Sequence, residues 1–248
     1  MEISAALIAG ALIGTVLGFI GAGGAMLSVP ILINIFDFSP HQATTAALAV
    51  VFLAALSGAL PKMRIHEVLY RDALIIWGIG LVTNIGFSSI ADSLPEKFIS
   101  TGFALVLFFA SYSMFREPFT DVHKRIPVAL LVVISLIVGA ITGLFGIGGG
   151  FLVIPTLVLF FGTPQNIAAG TSLLVISANS LTALIGHHAM WNQVNWKIPS
   201  LMAVAAVIMA STSSHFGKIA SPATLRKAFA GLLFAVASFT LLQALLLS

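Results

Sequence analysis

The stretch Gly18-Phe-Ile-Gly-Ala-Gly-Gly-Ala-Met-Leu-Ser-Val-Pro30 interrupts an apolar segment that runs from Ile3 to Phe36. An unbroken helix over that segment would be about 50 Å long, whereas the hydrocarbon core of a bilayer is about 30 Å thick. Each glycine inside a helix also costs about 1 kcal/mol. The stretch therefore predicts a break at the glycines, with a new helix that begins near Ala25 and Met26.

The same pattern occurs a second time, as Gly143-Leu-Phe-Gly-Ile-Gly-Gly-Gly-Phe-Leu-Val-Ile-Pro155, inside the equally long apolar segment 127–161. Here the new helix is expected near Gly150 and Phe151. Such a duplication at a constant offset indicates an internal repeat. We therefore divide the chain into a first transmembrane repeat (1–117), a basic linker (118–125) and a second transmembrane repeat (126–248). The matched positions are Gly14, Gly18, Gly21, Gly23, Gly24 and Pro30 with Gly139, Gly143, Gly146, Gly148, Gly149 and Pro155.

The composition assigns the chain to the lipid bilayer. Of its 248 residues 59% are hydrophobic and only 8% are charged, and the mean hydropathy is +1.11. Soluble domains carry about 25% charged residues, so a soluble enzyme, a nucleic-acid-binding protein and a disordered chain are excluded. We predict an all-α integral membrane protein. In each repeat the broken first segment, a hairpin or a re-entrant loop, is followed by three spanning helices.

The distribution of Lys and Arg predicts how the repeats are oriented. If each broken segment folds back at its glycines, the repeats have inverted topology, and nine of the 11 basic residues lie on one side of the membrane. If each segment crosses once, the repeats are parallel and only seven basic residues share a side. Because basic residues concentrate in cytoplasmic loops, we predict inverted repeats with cytoplasmic joints at 61–72, 116–125 and 217–227. Inverted repeats with broken helices are typical of secondary transporters.

The broken helices also predict where a ligand binds. A helix that begins inside the membrane offers free N–H groups and a positive dipole end, which suit an anion. Hydroxyl pairs follow each break, and two amides lie inside predicted spans. The alternatives are close helix packing for the glycines, capping or packing for the hydroxyls, and interhelical hydrogen bonds for the amides. The candidate substrate-binding residues are Gly21, Gly23, Gly24, Ala25, Thr44, Thr45, Asn84, Gly146, Gly148, Gly149, Gly150, Thr171, Ser172 and Asn179. We assign the ladder of Gly10, Gly14 and Gly18 to helix packing.

Several residue types are missing from the predicted spans. No Asp or Glu, which cation pumps and proton exchangers usually need, lies in the middle of a span. No Lys or Arg lies there either, so a bound anion would be held by backbone N–H groups, hydroxyls and amides. The histidines lack metal-binding spacing and the chain has no cysteine. We therefore predict no catalytic residue, no metal and no cofactor.

The two glycine stretches, each followed by a proline, together with Ala168-Ala-Gly-Thr-Ser-Leu173, resemble the TauE/SafE family of sulfite exporters. The resemblance extends over essentially the whole chain. It implies that the substrate is a small anion such as sulfite, an organosulfonate or thiosulfate, exported across a bacterial plasma membrane. The first half departs from the pattern of the second: Ala25 stands where Gly150 does, and Ala46-Ala47 replace Thr171-Ser172. The two halves are thus expected to contribute unequally.

Two other functions are open at this point. A passive anion channel would use the same features. An intramembrane hydrolase would need a buried nucleophile and base, for which Ser57, Ser177 and Ser180 with His187 or His188 are loose candidates. The sequence also leaves a homodimer open.

Overall fold

The computed structural model describes residues 2–91, 95–115, 127–145, 150–216 and 222–246, and within these ranges every regular element is a helix. The all-α prediction is confirmed. A π-helical turn (Thr156–Phe160) extends α7, and a 3₁₀ segment (His188–Gln193) follows α8. The α-helices are α1 (Glu2–Ile20), α2 (Gly24–Phe36), α3 (Pro40–Arg64), α4 (Tyr70–Ala91), α5 (Glu96–Phe115), α6 (Val128–Phe145), α7 (Gly150–Pro155), α8 (Gln165–Gly186), α9 (Lys197–Phe216) and α10 (Pro222–Leu246).

The surface of the helix bundle is apolar and suits contact with lipid. Four helices in the described ranges, α1, α3, α8 and α9, are long and apolar enough to cross a membrane. Large apolar side chains point outward from other helices too: Val82 of α4 and Phe109 of α5 are each 71% exposed. Exposed apolar area on this scale belongs in a bilayer, so the chain is a multi-pass membrane protein.

Both breaks lie close to their predicted positions. The first helix ends at Ile20 and α2 begins at Gly24. Between them Gly21 (φ +82°) and Gly23 (φ +92°) adopt the left-handed conformation, which glycine reaches without steric cost. In the second repeat α7 begins at Gly150, as predicted. The candidates Gly146, Gly148 and Gly149 lie outside the described residues.

A short, well-capped turn joins α2 to α3. Asp37 ends α2 in the left-handed conformation, with φ of 54°. Two residues later Ser39 caps α3: its hydroxyl accepts a hydrogen bond from the backbone N–H of Gln42 (3.4 Å), and its own N–H donates to Oε1 of Gln42 (3.3 Å). This reciprocal capping box satisfies two N–H groups that a helix start leaves free.

The glycine ladder of α1 is a packing surface, as predicted. A Cβ placed on Gly10 would lie 2.8 Å from the Cα of Met202, and one on Gly14 would lie 2.7 Å from the Cα of Ala206. Helices α1 and α9 therefore touch backbone to backbone, which only small residues permit. The equivalent glycines of the second repeat, Gly139 and Gly143, make the same kind of contact between α6 and α4.

These contacts fix the directions of the first helices. Residue numbers rise together along α1 and α9, since Gly10 meets Met202 and Gly14 meets Ala206. They also rise together along α3 and α9: Gln42 binds the carbonyl of Gln193, and Ser214 binds the carbonyl of Gly58. Consequently α1 and α3 run in the same direction, and α2 returns between them. The start of α2 indeed lies beside α1, since a Cβ on Gly24 would be 2.7 Å from Cγ of Leu17.

Two pairs of helices from the two halves of the chain, α3 with α8 and α5 with α10, pack antiparallel. Thr45 near the start of α3 contacts His187 just after α8, and Lys62 near the end of α3 contacts Gly170 near the start of α8. Likewise, Ser111 of α5 donates to the carbonyl of Ala230 in α10 (2.8 Å). The rings of Phe108 and Phe234 stack edge to face one turn away, with centroids 5.4 Å apart.

We predict that Gly14→Ala lowers the free energy of unfolding by about 1–3 kcal/mol, because the new methyl group overlaps the backbone of α9. Gly78→Ala in α4 is the matched control, since nothing lies within 4 Å of its Cβ position. The control should be as stable as the wild type, or up to about 1 kcal/mol more stable. Thermal unfolding in detergent measures both. Equal melting temperatures for the two variants would contradict the packing role.

Candidate functional site

The first glycine break leaves a buried, uncapped helix start. Gly21, Gly23 and Gly24 are all buried, and no side chain caps α2 at Gly23. The N–H of Leu27 bonds to the carbonyl of Gly23 (3.3 Å), so the N–H groups of the three preceding residues, among them Ala25, have no partner within the helix. The positive end of the helix dipole lies at the same place. A free helix start of this kind is able to bind an anion.

The break of the first repeat packs against a helix of the second. A Cβ on Gly21 would lie 2.6 Å from the Cα of Ala169 in α8. We call residues Ala169–Ser172 the α8 turn. On the other side of the break, a Cβ on Gly23 would lie 2.9 Å from Cδ2 of Leu232 in α10. The start of α2 is therefore enclosed by α1, α8 and α10.

The α3–α4 loop packs against the same α8 turn. A Cβ on Gly170 would meet the carbonyl oxygen of Glu67 and would lie 3.2 Å from both Cβ and Cδ of Lys62. The N–H of Leu69 donates to Oγ1 of Thr171 (3.0 Å). Loop and turn belong to different repeats, so these contacts join the two repeats at one end of the molecule.

An ion pair lies within this junction. Nζ of Lys62 is 3.5 Å from Oε2 of Glu67, and Nδ2 of Asn166 donates to Oε1 of the same carboxylate (2.8 Å). Lys62 is 3% exposed, and in the described part of the chain it is the one Lys or Arg whose side chain is buried. Three polar atoms here are buried without a hydrogen-bond partner: Oε2 of Glu67 and both amide atoms of Gln165.

Lys62 was not predicted to be buried, since the charges of 61–72 indicated only a basic joint. The sequence nevertheless contains a sign that Lys62 is buried. Ala55, Ala59 and Lys62 follow one another at spacings of four and three, and all three lie on the buried face of α3. That spacing extends the apolar face of the helix as far as the lysine.

The threonines predicted to bind the anion give their protons to their own helices. Each donates to the carbonyl four residues earlier: Thr44 to Pro40 (2.9 Å), Thr45 to His41 (2.9 Å) and Thr171 to Ile167 (2.8 Å). This is the usual local bond of threonine within a helix. In this conformation none of the three protons points to a shared ligand. Ser172 is fully buried in the α8 turn.

The two hydroxyl pairs also lie far apart. Thr45 is 3.0 Å from Nδ1 of His187, at one end of the α3–α8 pair, whereas Thr171 and Lys62 lie at the other end. At 1.5 Å per residue, the ends are about 25 Å apart along α3. The two hydroxyl pairs are separated in this way because α3 and α8 are antiparallel. Burial lowers the pKa of His187 from its ordinary 6.5, and the neighbouring His41 lowers that pKa further.

The predicted amides lie in other places. The backbone of Asn84 contacts Gly143, where α4 meets α6. Asn179 is half-buried in α8, about 12 Å along the helix from Thr171. Gly150 opens α7. Of the predicted residues, Gly21 packs against the α8 turn, which includes Thr171 and Ser172, and Gly23, Gly24 and Ala25 continue the same break.

Comparison with protein families gives a match over nearly the whole chain. The model of the family described as sulfite exporter TauE/SafE matches residues 6–240.

Individual relatives carry transporter names. The chain is 29% identical to the probable membrane transporter protein YunE of Bacillus subtilis over 215 residues, which cover 75% of this chain and 78% of that protein. It is 28% identical to a probable membrane transporter protein of Xylella fastidiosa (76% of this chain, 75% of that protein). A shorter match, 38% identical over 27% of this chain and 15% of the relative, is to sulfite exporter TauE/SafE family protein 1 of Arabidopsis thaliana. No solved structure matches the chain.

Proposed function

We propose that this chain, which belongs to the sulfite exporter TauE/SafE family and is a membrane transporter, exports sulfite or a related sulfur anion such as an organosulfonate or thiosulfate. The observation that carries the proposal is the buried, uncapped start of α2 at the first glycine break. The anion binds there, against the α8 turn, and the N–H groups of the first turn of α2 donate to its oxygens.

The chemistry of the break suits a compact oxyanion. Backbone N–H groups donate hydrogen bonds to oxygens, and a helix start contributes up to about 2 kcal/mol to anion binding in partly buried geometries. Glycines at 21 and 23 let the backbone turn back without a side chain that would fill the site. A binding site made of backbone donors needs no buried cofactor.

The arrangement of the repeats supports transport. The antiparallel pairs α3–α8 and α5–α10 fit a two-fold axis in the membrane plane, and transporters bind substrate where repeats related in this way meet. The first break meets the second repeat at Ala169. We therefore propose that the repeats are inverted, that the domain boundaries follow the predicted 1–117 and 126–248, and that the joints at 61–72, 116–125 and 217–227 are cytoplasmic.

The membrane potential can drive export without a coupled ion. A negative cell interior favours outward movement of an anion by about 2.3 kcal/mol per charge per 100 mV. Two junctions close the ends of the α3–α8 pair. At one end the α3–α4 loop packs on the α8 turn, and at the other Gln42 donates to the carbonyl of Gln193. Such closed ends fit the action of a carrier. A passive channel would show unitary currents in voltage clamp, which we do not expect.

We predict that Gly23→Val weakens sulfite binding at least about tenfold, since valine strains a backbone with φ of +92° and closes the approach to the α2 start. Gly78→Val, at an open position in α4, is the control and should bind as the wild type does. Sulfite-dependent thermal stabilisation and proteoliposome flux measure the effect, with thiosulfate, sulfate, a sulfonate and chloride as competitors. Wild-type flux in a folded Gly23→Val variant would remove this break from the pathway.

Topology offers a second prediction. The chain has no cysteine, so single cysteines can be introduced without a prior deletion. His66 and Asn195 are both exposed and lie in joints at opposite ends of the bundle. In intact cells an impermeant thiol reagent should label Asn195→Cys and spare His66→Cys until the membrane is permeabilised. Parallel repeats place both positions on one side, so equal labelling of the two variants would contradict inverted topology.

A further inference from the structure

Lys62 and the first glycine break lie at the same turn of α8. Gly21 contacts Ala169, and the next residue, Gly170, contacts the stem of Lys62. Successive residues of a helix point about 100° apart on a cylinder about 10 Å across. The uncapped start of α2 and the side chain of Lys62 therefore flank one helical turn from adjacent sides.

Lys62 pairs with a carboxylate that is itself incompletely hydrogen-bonded. Its ammonium lies 3.5 Å from Oε2 of Glu67, close enough for an ion pair, yet that oxygen has no hydrogen-bond partner. Asn166 satisfies the other carboxylate oxygen, with a bond of 2.8 Å. A buried ion pair contributes to stability only when its geometry is good and the remaining atoms of both groups are hydrogen-bonded. Oε2 of Glu67 does not meet the second condition, so stability alone does not account for the pair.

The surroundings favour an anion as the second partner of Lys62. The side chain of Gln165, the first residue of α8, is 3% exposed, and both its amide oxygen and its amide nitrogen lack partners. No side chain caps α8, because its cap residue is Pro164. The ion pair of Lys62 and Glu67 thus lies near the start of α8, where the helix is uncapped and its first side chain, Gln165, is buried without a partner.

We propose that Lys62 exchanges Glu67 for the transported anion, so that the ion pair closes this end of the pathway when no substrate is bound. The inference rests on the proposed function and adds a side chain to a site otherwise made of backbone. In the proposed topology this end faces the cytoplasm, where an exported anion enters. Loss of the Lys62–Glu67 pair then frees the α3–α4 loop from the α8 turn as the anion arrives.

The test compares Lys62→Met, Glu67→Gln and the double variant in sulfite flux and sulfite-dependent thermal stabilisation. We expect Lys62→Met to raise KM for sulfite about tenfold or more, because a buried charged partner of the anion is lost. Glu67→Gln removes the competitor, so its KM should stay at the wild-type value or fall. The double variant should keep the raised KM of Lys62→Met, and Lys62→Arg should restore most of the affinity.

If the ion pair has only a structural role, the variants should show the opposite pattern of KM values for sulfite. Each single variant would then be impaired because it leaves one buried charge unpaired, and the double variant would recover the wild-type KM. Since the double variant buries no unpaired charge, it keeps the test decisive even if a single variant fails to fold. Gly78→Ala, at an open position in α4, is the control and should leave KM unchanged.

Failure of this inference and failure of the proposed function can be told apart. If the wild-type protein neither binds nor transports any anion of the panel, the proposed function is wrong. If the wild type transports sulfite and the double variant does so with an unchanged KM, only the role of Lys62 is overturned.

Discussion

A helix that begins inside a bilayer must place its free N–H groups somewhere, because lipid offers them no hydrogen-bond partner. Here the start of α2 is enclosed by α1, α8 and α10, and Gly23 and Gly24 are buried. The return of the chain at Gly21 and Gly23 lets α1 and α3 run in the same direction. The first break thereby comes to lie against Ala169 of the second half.

The backbones of the two repeats are in close contact around the start of α2. The ladder of α1 lies directly on the backbone of α9. At the α8 turn, Gly21 contacts Ala169, and Gly170 contacts Glu67 and Lys62. Every one of these positions would collide with a neighbour if it carried a methyl group. The contacts join elements of different repeats, so the proposed anion site is also the place where the repeats meet. Relative movement of the repeats would therefore change access to the site, as alternating access requires.

Local features of the sequence predicted local features of the fold well. The glycine stretches located the starts of α2 and α7, and the spacing of Gly10 and Gly14 predicted a packing face. Features that depend on the register between distant helices were not predictable in this way. The threonine pairs lie at opposite ends because α3 and α8 are antiparallel, and their protons bond to carbonyls of their own helices. The spacing of Ala55, Ala59 and Lys62 is a local sign that the lysine is buried, but only the register with α8 reveals that Gly170 provides room for its side chain.

The position of the bound anion tests the central claim most directly. Selenite, the selenium analogue of sulfite, can be located by anomalous diffraction from crystals of the protein grown in its presence. With a hydrogen bond of about 3 Å from nitrogen to oxygen, the selenium should lie within roughly 5 Å of the backbone nitrogens of Gly24, Ala25 and Met26, beside the α8 turn. Ordered selenium found only at a distance from the first break, with that break unchanged, would contradict the claim.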